Sequence, residues 1–311
     1  MTTTLLDAEE ILEKEPVVDQ FSEVDLYSEV SQPSQIEQSS NLVTDDKQII
    51  SKISFQDVSL AYDDRVVLDK VSFSLEPGQM KVILGGSGSG KSTILKLALG
   101  LIKPDDGAIF IDGCDISKAD EEELNQIRRK MGMVFQSGAL FNSLTVYENV
   151  AFRPRELRWT EEKIDFEVKK VLEFVGLLDS AQLLPDALSG GMRRRVAIAR
   201  AIVDSPEVIF YDEPTSGLDP PTARMICEMA VKLRDINSVT SLFVTHKLDD
   251  IQYLSAKYEG ETFIAQGQHK KHYSNHIKFL VLNNGKIIFD DSPSMLWHSN
   301  DPFIRKFLYG E

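Results

Sequence analysis

Apolar residues are thinly scattered over roughly the first 48 positions and become periodic only from Ile49 onward. Ile53, Phe55, Val58 and Leu60 alternate with polar neighbours, Asp63-Asp64 marks a turn, and Val66 to Leu75 alternate again, so the spacing predicts two strands. Pro77-Gly78 breaks that unit ahead of a largely apolar run, Met80 to Leu84. Ile94 to Leu101 and Asp120 to Lys130 read as helices, with strands at 107–112 and 131–135. Residues 145–188 are helical in pattern almost throughout, and Glu162 to Val175 puts Ile164, Val168, Val171, Leu172 and Val175 on one face. After a helix at Arg193 to Val203 come short apolar strands at Val208 to Tyr211 and Ser241 to Val244, with helices at Pro221 to Arg234 and Leu248 to Leu254. Strand character returns at Ile277 to Leu282 and Lys286 to Phe289.

Strands alternating with helices imply an α/β core around a parallel sheet, here with a helical insert at about 137–205. At 311 residues, one such domain with appendages fits the chain better than two domains. The expected organisation is an extension over 1–48, a folded domain over 49–292 interrupted by a polar insertion at about 256–276, and a C-terminal tail over 293–311. Charge sharpens the first boundary: the net charge is −15, and residues 1–50 hold twelve Asp and Glu against Lys14 and Lys47. Low hydrophobicity with high net charge favours disorder there, with a short helix such as Leu5 to Leu12 forming on a partner. The overall balance also lacks the basic footprint of a nucleic-acid binder. With Cys114 and Cys227 as the only cysteines, a disulfide framework is unsupported and a reducing cytosol is expected. There is no run of 18 or more apolar residues and no basic, apolar leader at the N-terminus, so neither a membrane span nor secretion is expected.

The chemistry is concentrated in a few short strings. Gly85-Gly86-Ser87-Gly88-Ser89-Gly90-Lys91-Ser92-Thr93 has the spacing GxxxxGKS between a strand and a helix. Glycines let backbone N–H groups curl around the β- and γ-phosphates of a nucleotide, Lys91 neutralises their charge, and the Ser92 hydroxyl can ligate Mg²⁺. The following helix turns its positive end to the same place. Val208 to Tyr211 run into Asp212-Glu213, two carboxylates at the end of a core strand, where ligands of parallel sheets sit. Asp212 is expected to hold Mg²⁺, directly or through water, and Glu213 to orient and polarise an attacking water. Leu188-Ser189-Gly190-Gly191-Met192 opens a helix and forms a second anion-binding nest, more than one triphosphate pocket requires.

These strings together resemble the ABC ATPases, whose LSGGQ signature contacts the γ-phosphate bound to the opposite protomer. The resemblance runs from about residue 50 to 290 and implies a P-loop NTPase fold of ABC type: a mainly parallel core, an antiparallel β subdomain and an inserted helical subdomain. It implies ATP and Mg²⁺ as ligands, ATP hydrolysis as the reaction, and a homodimer with composite sites. By the same resemblance Tyr62 stacks on adenine, Gln136 touches Mg²⁺ and the water, and Asp219 in Ser216-Gly217-Leu218-Asp219 belongs to the D-loop. His246, two residues after a core strand, matches the switch histidine. Phosphoryl transfer needs charge neutralisation and a positioned water more than covalent chemistry, and this inventory supplies both.

Departures from the common pattern narrow the resemblance. The signature's fifth residue is Met192, followed by Arg193-Arg194-Arg195, and Gln136 is followed by Ser137-Gly138-Ala139-Leu140-Phe141-Asn142-Ser143-Leu144-Thr145-Val146-Tyr147-Glu148-Asn149-Val150. Both strings, and the ending Asp301 to Leu308, are similar to the ATPases that work with MCE (mammalian cell entry) proteins in bacterial lipid-transport systems of the Mla and Mkl type. A merely solvated helix face is the alternative reading of Met192 to Arg195. The implied function is to power a membrane transporter for phospholipid or other hydrophobic substrates. A transmembrane permease and an MCE-type substrate-binding protein would be its partners, at the cytoplasmic face of the inner membrane. An ATPase for amino-acid or ion import is the alternative within transport, and a factor acting on DNA or the ribosome the alternative outside it. His269, His272 and His276 have a spacing that could suit a metal, yet with no cysteine beside them solvated surface is expected.

Overall fold

The computed structural model describes residues 51–257 and 276–310, so the 1–48 extension and most of the 256–276 insertion, His269 and His272 included, lie outside the described residues. The first part of the chain forms β1 (Ile53–Tyr62), β2 (Arg65–Leu75), β3 (Met80–Gly85), α1 (Lys91–Ala98), β4 (Asp106–Ile111), β5 (Cys114–Asp115), α2 (Glu121–Arg128) and β6 (Met131–Val134). The helical insert follows as α3 (Val146–Glu156), α4 (Glu161–Phe174) and α5 (Gly190–Ile202), with two 3₁₀ turns between the last two. The core resumes with β7 (Val208–Asp212), α6 (Pro220–Asn237), β8 (Thr240–Val244) and α7 (Leu248–Ala256). It closes with β9 (Ile277–Asn283), β10 (Lys286–Asp291), α8 (Pro293–Trp297) and α9 (Pro302–Tyr309).

Two sheets result. The larger has the order β10-β9-β3-β8-β7-β6, parallel throughout except for β10 at one edge, and the smaller is antiparallel with the order β2-β1-β4-β5. β3 sits centrally and is buried along its whole length, as a parallel strand covered on both faces must be. Its side chains divide with the period of two: Met80, Val82 and Leu84 join the core beneath the helical insert, Ile83 the core beneath the antiparallel sheet. β9 divides in the same way, with Phe279 and Val281 on the first face and Leu280 and Leu282 on the second.

Lys81 is the exception within β3. Its ammonium is buried, which lowers its pKa, and it is held by both carboxylate oxygens of Asp290 on β10, at 2.7 and 2.8 Å. The smaller sheet is tied to the larger where Asp69 N–H donates to the Gly285 carbonyl, and where Lys52 pairs with Asp112 and Glu207. Helix starts follow their caps. α3 begins after Thr145, which forms a capping box with Glu148, and α5 begins at Gly190, earlier than apolar spacing suggests, because the Ser189 hydroxyl accepts from the Met192 N–H. Residues 293–310 form α8 and α9, whose Leu296, Ile304 and Leu308 are buried in the core beneath the helical insert.

Candidate active site

The C-terminal ends of four neighbouring parallel strands carry the chemistry-bearing residues. The phosphate loop follows β3, Gln136 follows β6, Asp212-Glu213 end β7, and His246 follows β8. The loop from Gly85 to Gly90 is shaped by close approach: at Gly85, φ is +151°, and a Cβ would lie 2.5 Å from the Leu282 carbonyl oxygen. Ser87 and Gly88 are exposed, Gly86 is half-buried, and Ser89 and Gly90 are buried, with Gly90 at the cap of α1. Lys91, Ser92 and Thr93 form the first turn of α1. The Lys91 ammonium is buried and donates to the carbonyls of Gly85, at 2.9 Å, and Gly86, at 2.8 Å. Burial lowers its pKa, against the pull of Glu213 and Asp212.

Ser92 Oγ donates to Asp212 Oδ1 at 3.1 Å, so the hydroxyl and the carboxylate point at one spot. Burial raises the Asp212 pKa, and the Ser92 hydrogen bond opposes the rise. Lys91 is buried and Asp212 half-buried, and desolvation shifts each toward its neutral form. The Ser89 hydroxyl, buried in the loop without a hydrogen-bond partner, adds an unused polar group. This donor set fits a Mg²⁺-nucleotide: anionic oxygens for Lys91 and the loop, a hard cation for Ser92 and Asp212.

Glu213 lies under backbone strain, with φ at +46°, and its N–H donates to the Val244 carbonyl at 3.0 Å. A non-glycine residue in that region costs about 1–3 kcal/mol and is retained where the surroundings fix it. Both carboxylate oxygens are engaged: Oε1 lies 3.0 Å from His246 Nδ1 and Oε2 accepts from Gln136 Nε2 at 3.3 Å. Gln136 Nε2 also reaches Ser216 Oγ at 3.2 Å. Thus Lys91, Ser92, Gln136, Asp212, Glu213 and His246 are brought together.

Tyr62 ends β1, half exposed, paired in register with Arg65. The Arg65 guanidinium lies 3.5 Å from the point where a Gly88 side chain would begin, so the β1–β2 turn borders the phosphate loop. Ser189, Gly190 and Gly191 stand apart from that loop and pack against the start of α6. A Cβ on Gly191 would meet Thr222 Cγ2 at 2.5 Å, and Asp219 caps α6 by accepting from the Thr222 N–H at 3.1 Å. Among the described residues no hydrogen bond or ion pair joins Ser189–Gly191 to the phosphate loop.

The arginines after Met192 are not a solvated face. Arg194 is buried and donates to the carbonyls of Phe135 and Ser216, the latter at 3.3 Å, which braces the residue before Gln136 and the serine that Gln136 reaches. Arg193 reaches the Leu188 carbonyl at 2.8 Å, and Arg195 the Val175 carbonyl at 2.8 Å. Sequence reading also missed Arg65 and Lys247, whose ammonium donates to the Thr215 carbonyl at 2.6 Å. Their partners are backbone carbonyls or distant loops, which leave no local signature. Among the described residues no cluster of three or more His, Cys, Asp or Glu could hold a metal; His269 and His272 lie outside them.

Comparison with known proteins gives this geometry a family. The ABC transporter family matches residues 68–216. The chain is 35% identical over 242 residues to the intermembrane phospholipid transport system ATP-binding protein MlaF of Haemophilus influenzae, covering 78% of this chain and 84% of that one. The chain belongs to the ABC transporter ATP-binding family. It is therefore a P-loop ABC ATPase that binds and hydrolyses ATP in the service of a transporter. This ABC ATPase is also 40% identical over 200 residues to the methionine import ATP-binding protein MetN 2 of Bacillus cereus, across 63% of its own length and 59% of that relative's. Among solved structures it is similar to the dimeric ATP-binding cassette MJ0796 in a post-hydrolysis state bound to ADP and Pi, with a TM-score of 0.65, 29% identity, and coverage of 78% of this chain and 98% of that one. A similar likeness holds to cbiO1 of Clostridium perfringens, part of the ABC transporter complex cbiONQ, with a TM-score of 0.68, 25% identity, and coverage of 83% and 95%.

Proposed function

We propose that this chain powers the transport of phospholipid or another hydrophobic substrate, with a transmembrane permease subunit and an MCE-type substrate-binding protein as partners. The observation that carries this reading is the extent of the likeness to the phospholipid transport protein, which takes in 84% of that relative against 59% of the methionine importer. No helix among the described residues is long and apolar enough to cross a membrane, and attachment at the cytoplasmic face of the inner membrane is proposed to run through the permease. A surface beside Gln136 supports that docking: Phe141 and Phe152, 43% and 38% exposed, lie with ring centroids 4.7 Å apart and planes tilted by 39°, and the Arg200 guanidinium lies 5.8 Å from the Phe141 ring. The residues from Ser137 to Val150 then link the site to the permease mechanically.

In the proposed mechanism the phosphate loop and Lys91 hold the β- and γ-phosphates, and Tyr62 stacks on adenine. Ser92, Asp212 and Gln136 would hold Mg²⁺, which would offset the charge of the phosphates. Glu213 orients and polarises the attacking water, and His246 and Gln136, one on each carboxylate oxygen, hold Glu213 in place. Ser189, Gly190, Gly191 and Asp219 complete the site of a second copy, so that two ATP molecules close a homodimer and hydrolysis releases it. The test is transfer of a fluorescent phospholipid from liposomes holding the permease and MCE partner with this chain. ATP-dependent transfer that is lost in Glu213→Gln is expected. ATP-dependent uptake of methionine or another amino acid without lipid transfer would overturn the proposal in favour of the importer reading.

A further inference from the structure

We propose that Asp250, in the first turn of α7, is a positioning residue that locks the loop bearing Glu213 to the loop bearing His246; this rests on the reading of Glu213 as the residue that polarises water. Asp250 is 2% exposed, and one of its oxygens, Oδ2, accepts from Thr215 Oγ1 and Thr245 Oγ1, each at 2.6 Å. Thr215 stands two residues after Glu213, and Thr245 immediately precedes His246. Both threonines are buried, and the Cys227 thiol, fully buried on α6, hydrogen-bonds to the same carboxylate. A buried carboxylate is costly unless its hydrogen bonds are made, so the fold is bound to keep these donors in place. Short hydrogen bonds from hydroxyl to carboxylate are strong, and here two of them converge on a single atom from two separate loops.

The junction closes a ring. On its outer side Glu213 Oε1 meets His246 Nδ1 at 3.0 Å, and between the loops the Glu213 N–H meets the Val244 carbonyl. On its inner side Asp250 gathers the neighbouring threonines, and Lys247 reaches back across the same gap to the Thr215 carbonyl at 2.6 Å and the Leu218 carbonyl at 3.4 Å. Glu213 sits at a positive φ that its own sequence does not favour, and this ring is what holds it there. None of these contacts touches the phosphate loop. Asp250 thus acts on turnover and not on nucleotide capture.

The experiment uses the full chain carrying Asp250→Asn, and separately the volume-conserving pair Thr215→Val with Thr245→Val. The quantities measured are kcat, KM for ATP, affinity for a fluorescent ATP analogue, and the melting temperature. A fall in kcat of about 10- to 100-fold is expected, since a misplacement of about 1 Å costs that much. KM and analogue affinity are expected to stay within about twofold of wild type. Added to Glu213→Gln, either change should lower the residual rate no further, because the residue it positions is already disabled. If Asp250→Asn fails to fold, the threonine pair decides the question by the same readouts. A wild-type kcat in the threonine pair would overturn the proposal. So would analogue affinity lost in step with kcat, or an effect that multiplies with Glu213→Gln, since either marks general loosening of the fold. Wild-type hydrolysis by Glu213→Gln alone would instead remove the reading of Glu213, and Asp250's role with it.

Discussion

In the proposed mechanism Lys91 and Glu213 serve opposite ends of one reaction, and their surroundings separate what their loss should do. Lys91 is buried among the loop carbonyls it anchors, so Lys91→Ala is expected to weaken ATP binding, read directly with a fluorescent analogue. Glu213 meets His246 and Gln136, and among the described residues no hydrogen bond joins it to the loop, so Glu213→Gln should bind ATP and lose turnover by about 10²- to 10⁴-fold. Equal ATPase rates for Glu213→Gln and wild type would exclude that role. These residues were legible in the sequence because the chemistry needs them contiguous: a loop wrapped around phosphate, and two carboxylates at one strand end. Arg194, Lys247 and Asp250 were not, since each is defined by partners on other loops or by backbone carbonyls. Arg194 is the sharpest case, one arginine of three in a row, and only the fold distinguishes the one buried against Phe135 and Ser216.

At the scale of elements, the order of strands and helices followed from hydrophobic periodicity, while boundaries moved where caps decide. Ser189 draws α5 back to Gly190, and the long helical pattern over 145–188 is divided by Thr160, which caps α4. The pairing of β9 with β10 holds a pair that periodicity cannot show, Lys81 with Asp290. Burial sets the Lys81 pKa below its value of 10.5 in an open chain. The unfolded state therefore binds more protons between the two values, and this lysine's contribution to stability rises with pH across that window. At neutral pH its burial is a cost that Asp290 offsets in part. Asp290→Ala is expected to destabilise the fold by about 3 kcal/mol, as it strands a buried ammonium. The double change Lys81→Met with Asp290→Asn should leave the protein about as stable as wild type, and urea unfolding at pH 7 and pH 10 checks both the magnitudes and the sign. A double variant as unstable as Asp290→Ala would show that the ion pair itself, and not the stranded charge, carries the stability.

For the whole molecule, the central claim is that one chain holds only half of each reaction site. Ser189–Gly191 can cradle a phosphate, yet they pack beside Asp219 and Thr222, while the same chain's phosphate loop lies with Asp212 and Glu213. The acidic extension over 1–48 lacks the composition to build a core, so a chain beginning at Ile49 is expected to keep its ATPase activity with the permease present. The most direct measurement mixes two disabled chains, Lys91→Ala and Ser189→Arg. Ser189 is exposed, so the second change leaves the core untouched and costs about 1 kcal/mol of helix capping. Each chain alone should hydrolyse little ATP. Mixed in equal amounts they should regain activity, because one of the two sites in the mixed dimer pairs an intact phosphate loop with an intact Ser189–Gly191. Hydrolysis at the wild-type rate by Ser189→Arg alone, with the permease present, would contradict the two-chain mechanism.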